Sequence, residues 1–488
     1  MNQEIYILFF LTLGISLAAT LQNLGSISVN PETKRLIDKF GREVYFHGVN
    51  VVYKVPPYVP RTDSFNPIHS FVEKDMKILS GLGLNVIRLG LMWPGAEPQK
   101  GQFNETYYEA IRSIVDKAYK YNIYTILDMH QDVLSEKFCG EGAPSWAINT
   151  GNASKFPFPF SFSSMEQIPN KTNCLEHLWA EYYATTAAGA AFQNIYDNTD
   201  GILDSLAGFW KKTASEFKDH KSVIGYELIN EPWLGDLYTK PWLVDPGEAD
   251  LRNLAPLYQK LSSAIREVDQ NHVIMFEPVT WADLGTGFKE VPGGDLYRNR
   301  SVLSYHYYVP PDMPFVKEQF EVRMADLEKL KCGGFLTEYA ICGNGADLIE
   351  KVLNACDEYK QSWTGWMYKL YGNITGDCSG LFDPETGEVN QKISDILSRS
   401  YPLVVAGEVE SISFNSKDSE FNLVYRTRQH IPDTTTQIYV NTNRHYSGNP
   451  KVIVATDIKY TVVRNVDIIT ITHESADDQV INVNITPP

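Results

Sequence analysis

Residues 223–233 read VIGYELINEPW. Six of the first seven residues are apolar or aromatic and only Glu227 is charged, which is how a strand buried on both faces is written. Pro232 lacks the N–H that a ladder needs, so the strand has ended by that point. Asn230 and Glu231 therefore stand at the carboxyl mouth of a buried strand. A carboxylate there must face a polar cleft or a buried partner, because burial without one is costly.

The same pattern recurs on both sides of this stretch, between about residues 43 and 395. The strand-like runs are VYFHGVN, VIRLGL, YTILDMH, VIGYELIN, VIMFEPV, VLSYHYY, GFLTEY and TGWMY. Amphipathic segments separate them. Ile111, Ile114, Val115, Ala118 and Tyr119 form one helical stripe, and Leu203, Leu206, Ala207, Trp210, Ala214 and Phe217 form another. Eight such strands with intervening helices predict an α/β fold, a (β/α)₈ TIM barrel over residues 27–398. A doubly wound open sheet is the alternative, but no Gly-rich phosphate fingerprint follows any strand. From Tyr401 onward the runs alternate, as in FNLVYRTR and DIITITH, which predicts a C-terminal antiparallel β-sandwich over residues 401–488.

The chain has 488 residues, 43% hydrophobic and 21% charged, which is ordinary globular usage. Its formal net charge of −17 repels phosphate backbones, so nucleic acid is not an expected partner. Residues 1–19 have an apolar run followed by Ala18 and Ala19 and resemble a secretory signal, although Glu4 is unusual in its head region. No other segment is apolar enough to span a bilayer, so the mature chain is expected without a transmembrane segment, in a secreted or luminal location. Six N-x-[ST] sequons, at Asn104, Asn152, Asn170, Asn299, Asn373 and Asn484, fit export. So does an even set of six cysteines, which lack metal-ligand spacing. Cys139 and Cys174 fall within the long insertion Gln131–Asp200 after the third strand, which a disulfide between them would staple. That insertion also carries KFPFPFSFSSM at residues 155–165, whose phenylalanines either tuck against the barrel or form an apolar rim.

Active sites of this fold sit at the carboxyl ends of the strands. Asn50, Arg88, His130, Asn230, Glu231, His306, Tyr308, Glu338 and Trp366 all lie there. Glu231 and Glu338 offer the paired carboxyls that glycoside cleavage requires, one to protonate the leaving oxygen and one to support the anomeric carbon. Structural pairing with Arg or Lys is the bland alternative for such glutamates.

In combination these motifs resemble glycoside hydrolase family 5. The segment LINEPW corresponds to its acid/base motif, FLTEY to its nucleophile strand, VIRLG to its arginine strand, DMHQD to its histidine strand, SYHYY to its H-x-Y strand and WTGWMY to its tryptophan strand. Within that family the chain is most similar to endoglycoceramidases, through VNVVYK, LDMHQD and YPLVVAG. The resemblance implies a retaining hydrolase with Glu338 as nucleophile and Glu231 as acid/base. It implies Asn230 on the sugar 2-OH, Tyr308 and Arg88 beside the nucleophile, and His306 as a supporting residue. Lys54, His130, Asp132 and Trp179 are sugar contacts by resemblance alone. Trp366 is the candidate sugar platform, with Trp363 its rival. The implied substrate is a glycosphingolipid met at a membrane or micelle surface, and no metal or cofactor is required. A family-5 β-glucanase, or a β-glucosidase acting on glucosylceramide or steryl glucosides, is the same-class alternative. A sugar- or lipid-binding module without catalysis is the alternative from another class.

Overall fold

The computed structural model describes residues 24–488 except 152–154, 165–167, 281–283, 310–311, 313–314, 342–344, 372–379 and 384. The leader at residues 1–19, the sequons at Asn152 and Asn373, and Cys342 and Cys378 fall outside the described residues. Three short strands come first: β1 (Ser28–Asn30), β2 (Arg35–Ile37) and β3 (Glu43–Val44). The barrel follows with β4 (His47–Val51), β5 (Val86–Gly90), β6 (Tyr124–Asp128), β7 (Val223–Glu227), β8 (Val273–Phe276), β9 (Ser301–Tyr307), β10 (Gly333–Tyr339) and β11 (Ser362–Gly365). These strands pair in parallel and in sequence, and β11 closes the ring onto β4. The eight expected runs are thus the eight barrel strands.

Strand ends differ from the sequence reading in one informative place. The run VIGYELIN was expected to pair through Asn230, but β7 ends at Glu227. The Leu228 N–H still donates to the Met275 carbonyl, after which the backbone turns, and Glu231 reaches a φ of 39°. Non-glycine residues seldom occupy this left-handed region, and when they do they cluster at functional sites. Earlier in the strand, Gly225 is required by close packing. A Cβ there would sit 2.3 Å from the Val273 carbonyl oxygen.

The C-terminal strands are β12 (Tyr401–Val405), β13 (Glu408–Asn415), β14 (Glu420–Arg426), β15 (Thr435–Tyr439), β16 (Lys451–Ala455), β17 (Tyr460–Arg464), β18 (Ile468–His473) and β19 (Val480–Thr486). They form two antiparallel sheets, one of four strands in the order β13-β14-β19-β16. The other has seven strands, β1-β2-β3-β12-β15-β18-β17, and so joins the two ends of the chain. Sequence reading grouped residues 27–398 with the barrel, whereas hydrogen bonding places β1–β3 in the sandwich sheet.

This sheet also plugs the amino-terminal end of the barrel. Val29, Leu36, Val44 and Val404 pack in one cluster with the barrel residues Val86, Ile126, Ile224, Met275 and Phe335. Polar contacts reinforce the joint. The Tyr401 hydroxyl donates to the Gly83 carbonyl at 2.6 Å, and Arg399 pairs with Asp357 at 2.5 Å. The Tyr401 ring stacks on His47 with centroids 3.7 Å apart.

Because the sandwich completes the barrel floor, a chain truncated after Arg399 loses the partner of β3 and exposes that cluster. We expect it to be insoluble or unstable, and we expect the full chain to melt as one cooperative unit in calorimetry. A soluble, active truncated barrel, or two separate transitions, would contradict this coupling.

Candidate active site

The opposite end of the barrel is polar, and its centre is Arg88 on β5. This guanidinium is completely buried and fans out to residues from five neighbouring segments. Its Nε donates to Glu227 at 2.5 Å, and Nη1 donates to Glu338 at 2.6 Å and to Asn50 at 3.0 Å. Nη2 donates to Asn230 at 2.8 Å and stands 3.1 Å from Asp128 and 3.6 Å from Glu277. The rigid, planar, permanently charged fork of Arg is suited to this task, for which Lys would be a poor substitute.

Glu338 on β10 accepts a second hydrogen bond from the Tyr308 hydroxyl at 2.7 Å. Burial raises its pKa, and the nearby His306 and Arg88 oppose that rise. Two donors aimed at one carboxylate favour its ionised, nucleophilic form. Tyr308 is itself held by its backbone N–H, which donates to Asp312 at 2.6 Å.

Glu231 has no such guanidinium. Its carboxyl meets His306 Nδ1 at 2.9 Å, and burial followed by repulsion from Asp132 lifts its pKa to about 7. Its backbone N–H donates to Glu277 at 3.2 Å. Gln131 holds the strained turn, donating from Nε2 to the Asn230 and Glu231 carbonyls at 2.6 and 2.8 Å. Asn230 commits one amide hydrogen to the Gln131 carbonyl at 2.8 Å, and an amide has two.

A carboxyl oxygen of Glu231 and one of Glu338 lie within 4.8 Å of each other. Retaining glycosidases hold their carboxyls about 5–5.5 Å apart, whereas inverting enzymes leave about 6.5–9.5 Å for a water. The two glutamates are therefore a pair with unequal environments across one short gap.

The remaining expected residues form the wall beside this gap. Lys54 pairs with Asp132 and, at 2.9 Å, with Glu141, and its ammonium lies 4.8 Å from the centre of the Trp366 ring. The Trp366 ring stacks on His130 at 5.3 Å with an interplanar angle of 9°. Burial opposes a charge on His130, but Asp128 at 2.8 Å and Asp132 at 3.4 Å outweigh it and hold the imidazole at about 9. Burial works against Asp132 also, yet Lys54 and His130 keep its carboxyl well below the usual range. Trp363, the other candidate, is fully buried and stacked on His47 at 4.4 Å, away from Lys54 and His130. Trp179 stands one layer out, half-buried against Tyr183, whose hydroxyl accepts from Gln131.

Sequence reasoning missed Asp128, Glu227, Glu277 and Glu141. The first three are single buried carboxyls in otherwise largely apolar strand runs, where nothing local marks the face they point to. Glu141 lies in the insertion, where no periodicity marks it. It pairs with Asp132 through two backbone hydrogen bonds of 2.7 and 2.9 Å, two residues from the Cys139–Cys174 disulfide. Cys332 and Cys356 are buried free thiols.

The phenylalanines of the insertion divide between the two readings. Phe156 packs on Phe138 and Tyr182, and Phe162 packs on Phe156 and Tyr182. Phe158 is 55% exposed.

Comparison with known proteins agrees with this geometry. Residues 61–372 match the family model described as cellulase (glycosyl hydrolase family 5), and residues 399–485 match the glycoside hydrolase family 5 C-terminal domain. The chain is similar to an endoglycoceramidase of Cyanea nozakii, 52% identical over 88% of this chain and 87% of that one. It is also similar to an endoglycoceramidase of Hydra vulgaris, 50% identical over 90% and 85% of the respective chains. The solved structure of endo-glycoceramidase II from Rhodococcus sp., as its lactosyl-enzyme intermediate, superposes with a TM-score of 0.74 over 92% of this chain and 99% of that one. At 22% identity that likeness speaks to fold. With its barrel, its unequal glutamate pair and these relatives, the chain belongs to glycoside hydrolase family 5, among the endoglycoceramidases.

Proposed function

We propose that this protein hydrolyses the β-glycosidic bond between oligosaccharide and ceramide in glycosphingolipids, with retention of configuration. The observation that carries this reading is the Glu231–Glu338 pair within 4.8 Å, in a chain half identical to endoglycoceramidases over most of its length. Glu338, aligned by Arg88 and Tyr308, attacks the anomeric carbon. Glu231 gives its proton to the glycosidic oxygen, and ceramide departs as the alcohol. The Glu231 carboxylate then takes a proton from water, whose oxygen displaces Glu338 and frees the sugar. Trp366 supplies the sugar platform, Lys54, His130 and Asp132 its polar edge, and the second amide hydrogen of Asn230 the donor to its 2-OH. Trp179 is an outer sugar contact.

The apolar tail of the substrate matches the loops around the site. Phe158 and Leu178 after β6, Trp242 and Val244 after β7, and Phe315 after β9 are exposed, at 55, 73, 47, 60 and 56%. All lie on loops that leave the carboxyl ends of barrel strands, the face that holds the glutamates. We propose that this rim meets the membrane or micelle in which the substrate sits. Among the described residues no helix is long and apolar enough to cross a membrane. The disulfide supports action in an oxidising, secreted or luminal compartment.

Glu338→Gln is expected to lose nearly all turnover at an unchanged melting temperature. Glu231→Gln should cost at least about a hundredfold on intact glycosphingolipid and far less on an activated aryl glycoside, whose leaving group needs no proton. NMR of the first-formed sugar should show the substrate's own anomeric configuration. An inverted product, or equal losses on both substrates, would sink the assignment.

The pH profile follows from Glu231. A group raised to about 7 keeps its proton below that pH and loses it above. Since the first step consumes that proton, kcat/KM should fall above about pH 7, by about tenfold per unit. A profile that stays flat well into the alkaline range would show that another group is the acid.

The rim is tested by Phe158→Ser with Leu178→Ser. Turnover of glycosphingolipid in vesicles should fall by about tenfold, the equivalent of part of the lost apolar contact. Cleavage of a soluble aryl lactoside should stay the same. Unchanged vesicle turnover in the folded variant would remove these side chains from the lipid-facing surface.

A further inference from the structure

Behind the acid/base lies a third buried glutamate, Glu277, the residue that follows β8. One of its oxygens, Oε2, accepts the backbone N–H of Glu231 at 3.2 Å. The other, Oε1, is buried, has no hydrogen-bond partner, and lies 3.4 Å from His306 Nε2. His306 Nε2 is likewise buried without a hydrogen-bond partner. Two unsatisfied polar atoms facing each other inside an active site call for a proton between them, since leaving both unpaired would be costly.

The direction of that hydrogen bond follows from the other side of the ring. His306 Nδ1 faces two carboxyls, Glu231 at 2.9 Å and Glu338 at 3.7 Å, and therefore carries the hydrogen. Burial disfavours the imidazolium and lowers the His306 pKa. A neutral ring with its hydrogen on Nδ1 has a bare lone pair on Nε2, which accepts and does not donate. The donor at 3.4 Å must then be a carboxylic acid.

The surroundings favour that form. The groups facing Glu277 are Arg88 at 3.6 Å, His306, and the carboxyls of Glu227, Glu231 and Glu338, while the Tyr258 hydroxyl donates to its backbone carbonyl. One guanidinium, already bonded to Glu227 and Glu338, cannot neutralise every carboxyl there. Burial, with Glu227 and Glu231 adding to it, pushes Glu277 well above the usual carboxylate range.

We propose that Glu277 is a positioning residue that acts as a neutral acid: Oε1–H donates to His306 Nε2, which keeps the His306 Nδ1–H directed at Glu231. The Glu231 carboxylate left after the first step thus finds a ready donor, and Oε2 at the same time secures the strained Glu231 backbone. No proton leaves Glu277 during turnover. The inference rests on Glu231 being the acid/base.

A neutral acid and a primary amide share the same donor and acceptor layout, so Glu277→Gln is the decisive variant, set against Glu277→Leu. We expect Glu277→Gln to keep kcat within about threefold of the parent and to leave the alkaline limb of kcat/KM in place. Glu277→Leu lets His306 adopt the other tautomer, with a bare Nδ1 that prefers the protonated form of Glu231. Its alkaline limb should move up, and kcat on intact glycosphingolipid should fall by at least about tenfold at similar KM. If Glu277→Leu does not fold, Glu277→Gln decides alone. A Glu277→Gln protein with parental melting temperature and a loss of kcat beyond about tenfold would overturn the proposal, because Glu277 would then be working as an anion. An unmoved limb in folded Glu277→Leu would overturn it too, leaving only a packing role. Glu231→Gln assayed in parallel separates the two levels: if it shows no dependence on the leaving group, the acid assignment has failed, not the role of Glu277.

Discussion

The buried guanidinium of Arg88 is the interaction on which the site depends. It binds Asn50 from β4, Glu227 from β7, Asn230 from the turn beyond it, and Glu338 from β10, with Asp128 from β6 close by. A charge with no access to solvent is tolerable only when its partners compensate it, and here several carboxyls and two amides do so together. The same fork thus ties together the carboxyl ends of several strands and sets the orientation of Glu338. This coupling explains why so many carboxyls surround a single cation. Burial and mutual repulsion raise some of them, Glu231 to about 7 and Glu277 well above the usual carboxylate range.

The two sides of the gap solve different problems. On the side of Trp366, the Lys54, His130, Asp132 and Glu141 groups form a charged network in which burial pushes Glu141 up to about 8 while Lys54 and His130 hold Asp132 down. Such a network offers fixed donors and acceptors to a sugar rim. On the side of Glu231 burial lowers the pKa of His306, and burial with repulsion from Asp132 lifts that of Glu231 to about 7. A pKa near neutrality arises there without any special chemistry, from desolvation and like charge. The insertion after β6 serves the first side. Its disulfide lies two residues from Glu141, and Glu141 pairs directly with Asp132.

The sandwich belongs to the same architecture at the other end. Its seven-stranded sheet draws on both chain ends and fills the barrel floor with Val29, Val44 and Val404. The catalytic end can therefore be crowded with polar groups while the opposite end supplies apolar burial and cohesion. Backbone strain at Glu231, with its φ of 39°, is held within that frame by Gln131 from the neighbouring loop.

The barrel was legible in the sequence because strands buried on both faces are predominantly apolar, and VIGYE, VIRLG and YTILD each carry only one charge. Glu231 and Glu338 stood out because a charge that ends such a run must face a polar cleft or a buried partner. Trp366 could be named but not distinguished from Trp363, since two tryptophans in one motif differ only in the direction the backbone gives them. Glu227 and Glu277 were invisible as site residues because one charge inside a strand run carries no mark of the face it points to. The membership of β1–β3 in the sandwich sheet was hidden too, because pairing between residues some 360 positions apart leaves no local period. The residue types and their order fixed which chemistry was available. Only the tertiary structure decided which carboxyls share Arg88 and which of them burial raises above the usual range. Those assignments depend on distance and burial, which the folded chain alone supplies.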